Sequence, residues 1–435
     1  MKFTQSNIQN KRLHQIIPGG AHTYAKGTDQ FPENMAPVIE RGQGSHVWDV
    51  DDNEFIEYGM GLRAVTLGHA YQPVVEAAYK QSLRGNNFVR PAAIEKEAAE
   101  ELLNLLPYAD MVKFGKNGSD TTSAAIRLAR AYTGRELVAI CHDHPFFSVD
   151  DWFISMTPMS AGIPKYIQKL IKEFNYNDLG SLEKLFDKYP NKIACIIMEP
   201  EKNELPENQF LHKARELCHK NGAVFILDEM ITGFRWDIGG GQRYHKIEPD
   251  LSTFGKALGN GYSVSALAGK REIMQLGGFN HSKERVFTLS LTHGAETPCL
   301  AASIATMRVY KEANVIETLW ASGSKLRKNI NKSINDYQLN DYVKLFGRDC
   351  CLVYGTAGPD KKPSQGFRTL FLQEIIKRGI LAPSLVVSYS HSDSDIDRTC
   401  SAIDEALRIY RAALDEGLDH YLIGRSVQPV FRKFK

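Results

Sequence analysis

Residues 223–261 read AVFILDEMITGFRWDIGGGQRYHKIEPDLSTFGKALGNG. Ala223 to Leu227 is an unbroken apolar run, the pattern of a strand buried on both faces of a parallel sheet. Two acids, Asp228 and Glu229, follow at its C-terminal end, where α/β sheets collect their ligands. A second short stretch ends at Lys256 and is followed by Gly259, Asn260 and Gly261.

An acid after one strand and a lysine after the next are the pair that pyridoxal phosphate chemistry needs. The lysine amine can form a Schiff base with an aldehyde, and the acid can hold a pyridine nitrogen protonated. A protonated ring accepts electrons when a Cα–H bond breaks. Taken separately, the two features would be an acidic turn and a surface lysine; their order and separation favour the paired reading. The stretch resembles the fold-type I pyridoxal phosphate enzymes, specifically the class III aminotransferases and most closely the glutamate-1-semialdehyde aminomutases. Their D-E-x-x-T-G-F-R segment is matched by Asp228, Glu229, Thr232, Gly233, Phe234 and Arg235. Their T-x-G-K-x-x-G-x-G context is matched by Thr253, Gly255, Lys256, Gly259 and Gly261. The resemblance implies Lys256 and Asp228 as catalytic residues and pyridoxal 5'-phosphate as cofactor. It also implies an α/β architecture, the PLP-dependent transferase fold type I, with a mostly parallel large-domain sheet and a smaller α+β domain. The expected divisions are an N-terminal segment with a small antiparallel sheet over 1–72, a cofactor-binding domain over 73–315 and an α+β domain over 316–435.

Composition bounds the remaining choices. The chain has 435 residues, 43% hydrophobic and 24% charged, which suits an ordinary soluble protein with a large core. Its net charge of +2 (53 basic less 51 acidic) offers no field to attract nucleic acid. The seven cysteines include no C-x-x-C pair, and an odd count points to reduced thiols and a cytoplasmic location. Met1 to Asn10 is polar, unlike a signal peptide, and no apolar run approaches a membrane span. No membrane or nucleic-acid partner is expected, and the partners foreseen are a small-molecule amino donor and a carbonyl acceptor.

Ahead of the central stretch, residues 1 to about 15 read as an amphipathic helix, and PGGAHTYAKG (18–27) as an irregular turn. In the aminomutases the matching turn covers the active site, which implies Thr23 and Lys26 as substrate contacts. Val38 to Tyr58 alternates around an Asp51-Asp52-Asn53 turn, a β-hairpin or meander. A tryptophan of the aminomutase pocket aligns with Leu62. Met111 to Phe114 reads as a strand that runs through a small polar turn into the helix TTSAAIRLARAY. Such a helix start is an anion site, because free N–H groups and the dipole face the ligand. The resemblance places the cofactor phosphate on Asn117, Gly118 and Ser119.

The stretch CHDHPFFSVDDWF (141–153) departs from the family's Y-H-G, with Pro145 opposite the tyrosine. Phe146 is the expected ring-stacking residue, with Phe147 next in line. His142 and His144 flank Asp143, but one H-x-H without further ligands is weak, and no metal is expected. Ile193 to Met198 reads as a strand ending in Glu199-Pro200. The family's E-P implies that Glu199 orders the site and that Asn203 lines the pocket. Aligning on Pro298 implies that Thr292 or His293 reaches the phosphate of a partner subunit, hence a homodimer with shared active sites. From about residue 320 the pattern is α+β. After Gly379-Ile380-Leu381-Ala382-Pro383-Ser384 the chain is about four residues shorter than the aminomutases and loses a glutamate they place near substrate. The tail HYLIGRSVQPVFRKFK (420–435) reads as a solvated or dimer-edge extension. Three functions fit: an aminotransferase acting on an aldehyde or ketone, sugar-like or phosphorylated, with an amino acid such as glutamate as donor; a glutamate-1-semialdehyde 2,1-aminomutase; and, least favoured because Lys256 and Asp228 are both present, a non-catalytic cofactor-binding homologue.

Overall fold

The computed structural model describes residues 1–144 and 146–434. The chain divides into two compact units, one of Met1–Tyr71 with the chain from Glu317 onward, the other of Gln72–Ile316. In the first, helix Thr4–Ile16 precedes an antiparallel meander of β1 (Ile39–Gln43), β2 (His46–Asp49) and β3 (Glu54–Glu57). The β2–β3 turn forms where Asp49 Oδ1 accepts the N–H groups of Asp51 and Asn53 at 3.0 and 2.9 Å. Asx-type bonding of this kind is why Asp and Asn favour turns.

The second unit is built on β4 (Met111–Gly115), β5 (Leu137–Cys141), β6 (Ile171–Phe174), β7 (Ile193–Met198), β8 (Val224–Asp228), β9 (Leu251–Phe254) and β10 (Ser265–Gly269). They lie in the order β4-β10-β9-β8-β7-β5-β6. β10 runs antiparallel to both neighbours, and the pairs from β9 to β6 are parallel. The apolar run at 223–227 works as a doubly buried strand. Val224 and Ile226 pack on one face with Ala124, Ala125 and Leu128 of helix Gly118–Thr133. Phe225 and Leu227 pack on the other with Phe210, Leu211 and Ala214 of helix Phe210–Lys220. Truncating a fully buried Ile226 to alanine would cost about 2–5 kcal/mol. The period of two carries Asp228 onto the face of Val224 and Ile226, the side of helix Gly118–Thr133.

Helix Gly118–Thr133 starts where it does because Asp120 turns its carboxylate back. Its Oδ2 accepts the N–H groups of Lys116 and Asn117 at 3.0 and 2.8 Å, a capping arrangement. It stops at Gly134, whose φ of +68° lies in the left-handed region.

The remainder of the first unit holds the hairpin β11 (Val343–Phe346) and β12 (Val353–Thr356), the short β13 (Ile380–Leu381), and helices Gln365–Lys377 and Asp393–Glu416. β13 pairs in parallel with β3, Ile380 facing Ile56 and Leu381 facing Glu57. Tyr58 donates its hydroxyl to Thr399 Oγ1 at 2.8 Å, and Ser45 donates to Asp395 Oδ2 at 3.0 Å. The N-terminal meander and the C-terminal α+β segment, separate in the sequence reading, thus share one unit. No helix among the described residues is long and apolar enough to cross a membrane.

Candidate active site

Asp228 ends β8 with 2% of its surface exposed. The β8–β9 register sets it opposite Thr253, whose hydroxyl donates to Oδ1 at 3.1 Å; the Met230 N–H donates to the same oxygen at 3.0 Å. Both bonds fall on Oδ1, which leaves Oδ2 for a further donor. Burial, then the negative charge of Glu199, push this carboxyl up to about 7, against the pull of Lys256 and the two hydrogen bonds. A cationic ring nitrogen would relieve that penalty. Lys256 lies just past β9, and its backbone has φ +44°, in the left-handed region a non-glycine residue seldom adopts. Its charge bears on both Asp228 and Glu199.

Glu199 follows β7. Its N–H donates to His144 Nδ1 at 3.0 Å, and its Oε1 pairs with Lys202 Nζ at 3.0 Å. Burial is the largest influence and works against its charge, but Lys202, His144 and Lys256 together outweigh it, so the carboxylate sits below its usual range. His144 is pulled down to about 4 by burial and is therefore neutral at pH 7, as its acceptor role at Nδ1 requires. His142 turns instead to Glu173, at 2.9 Å. The second acid of the pair, Glu229, has a separate task. It accepts the Thr232 hydroxyl and the N–H groups of Gly241 and Gln242, at 2.8 and 2.6 Å for the last two, and so fixes the glycine cluster.

At the end of β4, Gly118 and Ser119 head a 16-residue helix with N–H groups that have no preceding turn to bond. Ser119 Oγ accepts the Val149 N–H at 3.0 Å and keeps its own hydroxyl proton to donate. Asn117 O accepts from Ser265 Oγ at 2.8 Å, which ties the turn to β10. Met230 joins the turn before helix Gly118–Thr133 to the turn at Gly255–Lys256. A Cβ added at Gly118 would stand 2.8 Å from Met230 Sδ, and one at Gly255 would stand 2.7 Å from it. The two turns therefore lean on one side chain, and a Cβ at either would have to displace it. Sequence reasoning missed Met230, and nothing but its place two residues after Asp228 could have found it.

Phe146 is 43% exposed, edge-on to Phe153 at 5.5 Å, whereas Phe147 is 2% exposed. Of the two, Phe146 is the more open to solvent, and the Val149–Ser119 bond ties this loop to the start of helix Gly118–Thr133. Pro145 lies outside the described residues. Thr292 and His293 are exposed in a loop; the Thr292 carbonyl accepts from Asn87 Nδ2 at 2.9 Å. Three residues beyond His293, Glu296 pairs with Lys116 at 2.7 Å, next to Asn117 and Gly118. Asn203 lines a cavity of about 180 Å³ with Asp143, His144, Tyr176, Lys202 and Glu204. Thr23, Lys26 and Leu62 belong to the other unit. Thr23 and Lys26 are exposed on the 18–27 turn. Leu62 sits in four consecutive left-handed residues, Met60 to Arg63, with φ of +43°, +58°, +59° and +71°. For the three non-glycine residues that conformation costs about 1–2 kcal/mol each.

A buried acid awaiting a cation, a helix start open to an anion and a lysine held beside both fit a phosphorylated pyridine aldehyde. The family model described as aminotransferase class-III matches residues 28–407. The chain belongs to the class-III aminotransferase family. This family works with pyridoxal phosphate, which is the cofactor of this chain. A glutamate-1-semialdehyde 2,1-aminomutase of Wigglesworthia glossinidia brevipalpis is 31% identical over 436 residues, covering 94% of this chain and 99% of its own. The enzyme of the same name from Francisella tularensis subsp. tularensis (strain WY96-3418) is 30% identical over 424 residues, covering 91% and 96%. Among solved structures, FumI of Sphingopyxis sp. MTA144, in its PLP internal aldimine form, superposes with a TM-score of 0.86 at 27% identity over 95% of this chain and 98% of its own. The family, the fold type and the cofactor of the sequence reading all stand.

Proposed function

We propose that this class-III aminotransferase family protein moves an amino group from an amino acid donor, glutamate, to an aldehyde or ketone acceptor of sugar-like or phosphorylated character. The supporting observation is the convergence of Asp228, Lys256 and the Gly118–Ser119 helix start around Met230. When bound, pyridoxal phosphate supplies a carbonyl for amino exchange and a ring that accepts electrons. Asp228 Oδ2 holds the proton on the ring nitrogen. Gly118, Ser119 and Asn117 bind the phosphate, and Phe146 covers one face of the ring. Lys256 Nζ would hold the aldehyde carbon and, once displaced from it by the donor amine, would be free to take the donor's Cα proton and deliver it to the former aldehyde carbon, across the intervening nitrogen. Glu199 keeps a fixed negative charge near Asp228. Thr292 or His293 reaches the phosphate in a partner subunit, which makes the enzyme a homodimer with shared sites in the cytoplasm.

Thr23, Lys26, Leu62 and Asn203 set the substrate side. Lysine at 26 binds a carboxylate as a point charge without the fork of an arginine. Leucine at 62 replaces a large flat wall, and the glutamate after Ser384 is absent. Losing paired groups for one substrate typically discriminates against it by orders of magnitude in rate. The second reading, a glutamate-1-semialdehyde 2,1-aminomutase, is favoured by the names of the relatives at 30–31% identity. Two assays separate them. Glutamate should convert the bound cofactor to its amino form, read by absorbance. Glutamate-1-semialdehyde without a donor should give 5-aminolevulinate only slowly. Formation of 5-aminolevulinate at ordinary enzymatic rates would replace the first reading by the second.

A further inference from the structure

The chain after helix Asp393–Glu416 is held by hydrogen bonds to its own unit. It is anchored in helix Gln365–Lys377, where Gln373 Oε1 accepts the Ile423 N–H at 2.8 Å and Gln373 Nε2 donates to Tyr421 O at 2.9 Å. Thr369 Oγ1 accepts the Val427 N–H at 2.8 Å. Gln373 and Thr369 are fully buried and Val427 is 2% exposed, so this is an integral contact. From that anchor the tail grips residues 28–33. Arg425 donates through Nη2 to Thr28 O at 2.8 Å and through its backbone to Glu33 Oε2 at 2.9 Å. Gln428 N donates to Asp29 O at 3.0 Å, and Gln30 Nε2 donates to Gln428 O at 2.9 Å. Arg432 pairs with Asp29 at 2.6 Å.

The gripped residues are the base of the 18–27 turn. His14 Nε2 lies 2.9 Å from Thr28 Oγ1 and closes that turn from its other side. Its base is bolted down while Thr23, Tyr24 and Lys26 stand exposed at its tip. Turn and tail both lie outside residues 28–407, the span of the family match. A turn held at its base and bare at its tip is a preorganised contact, whose value is the ordering cost it removes from binding.

We propose that the C-terminal tail is a positioning element for substrate. Its grip on Thr28–Glu33 sets where Thr23 and Lys26 stand, with Arg432 and Arg425 the residues that make it. This inference rests on the reading that Thr23 and Lys26 meet substrate. The test uses the holoenzyme with glutamate as probe, comparing Arg432→Asp, Asp29→Arg, the double charge swap, and a chain ending at Gly424. Each single variant should raise hydrogen exchange over 18–27 and raise the half-saturating glutamate concentration about threefold, with the limiting rate little changed, as expected for a partly exposed ion pair. The charge swap should restore both, and the shortened chain should shift both further. Unchanged exchange at 18–27 in the shortened chain would overturn the inference, as would raised exchange with unchanged half-saturation. A merely structural tail would lower the melting temperature and the limiting rate together and leave half-saturation alone. Failure of the unaltered enzyme to convert with glutamate or any other amino donor is a different signal; it would overturn the aminotransfer reading and this inference with it.

Discussion

Lys202 Nζ stands 3.0 Å from Oε1 of Glu199, and the other oxygen of that carboxylate is buried with no hydrogen-bond partner among the described residues. The lysine is therefore the main compensation for a charge only 3% exposed. Lys202→Met should destabilise the protein by about 3–5 kcal/mol, the usual cost of stranding a buried charge. A carboxylate held below its usual range adds stability above that range and loses it as pH falls. The unaltered protein should lose this contribution on acidification, and urea midpoints of Lys202→Met should not. Adding Glu199→Gln should recover part of the loss; a Lys202→Met protein of native stability at pH 7 would refute the pairing.

The approach of Met230 to Gly118 makes a second prediction. Gly118→Ala should cost about 1–3 kcal/mol through overpacking and weaken cofactor binding. Gly118→Ala with Met230→Ala should bind cofactor better than Gly118→Ala alone. If the double variant binds no better, the collision with sulfur is not the cause.

Asp228 predicts a pH dependence in the cofactor-free protein. Its carboxyl is raised from 3.8 to about 7, so the folded chain keeps a proton the unfolded chain has lost. The contribution of Asp228 to stability therefore falls as pH rises from about 4 to 7. A ring nitrogen cation removes that penalty, so the gap between cofactor-bound and cofactor-free melting temperatures should widen over the same range. Asp228→Asn should flatten the widening and remove most of the turnover; near-normal turnover would point to another acid.

Lys256→Ala should abolish turnover and the borohydride-reducible link between cofactor and chain. Lys256→Arg should fail as well, because a guanidinium that stays protonated cannot replace the amine as the reacting group.

Sedimentation should return a homodimer, and alanine at Thr292 or His293 should weaken cofactor binding without changing the cofactor-free melting curve. A fully active monomer would contradict shared sites.

The elements were legible where periodicity is strong. The run at 223–227, the strand at 193–198 and the helix after Gly118 stand close to where their patterns put them. The β6 strand at 171–174 escaped because four residues with two charges, Ile-Lys-Glu-Phe, carry too little pattern. The joining of the chain's two ends rests on the short pairing of 380–381 with 56–57 and on side-chain bonds such as Tyr58–Thr399, and no local signal announces a contact more than 300 residues away. At the site, motif residues were legible because backbone turns demand particular residue types. Lys202, Met230 and the tail contacts were not, because a lysine, a methionine and a glutamine acquire their tasks only from what folds against them.

The left-handed run from Met60 to Arg63 bears on how substrate range could change. Leu62, proposed as a wall of the pocket, cannot be exchanged freely, because a β-branched or bulky replacement must also hold a backbone that suits glycine and asparagine. Adaptive substitutions at this place are taxed twice, once by the ligand and once by the main chain. Thr23 and Lys26, on ordinary backbone, carry no such handicap. A mutational library that varied all three equally should yield its viable new specificities mainly from positions 23 and 26, with survivors at 62 enriched in glycine and asparagine.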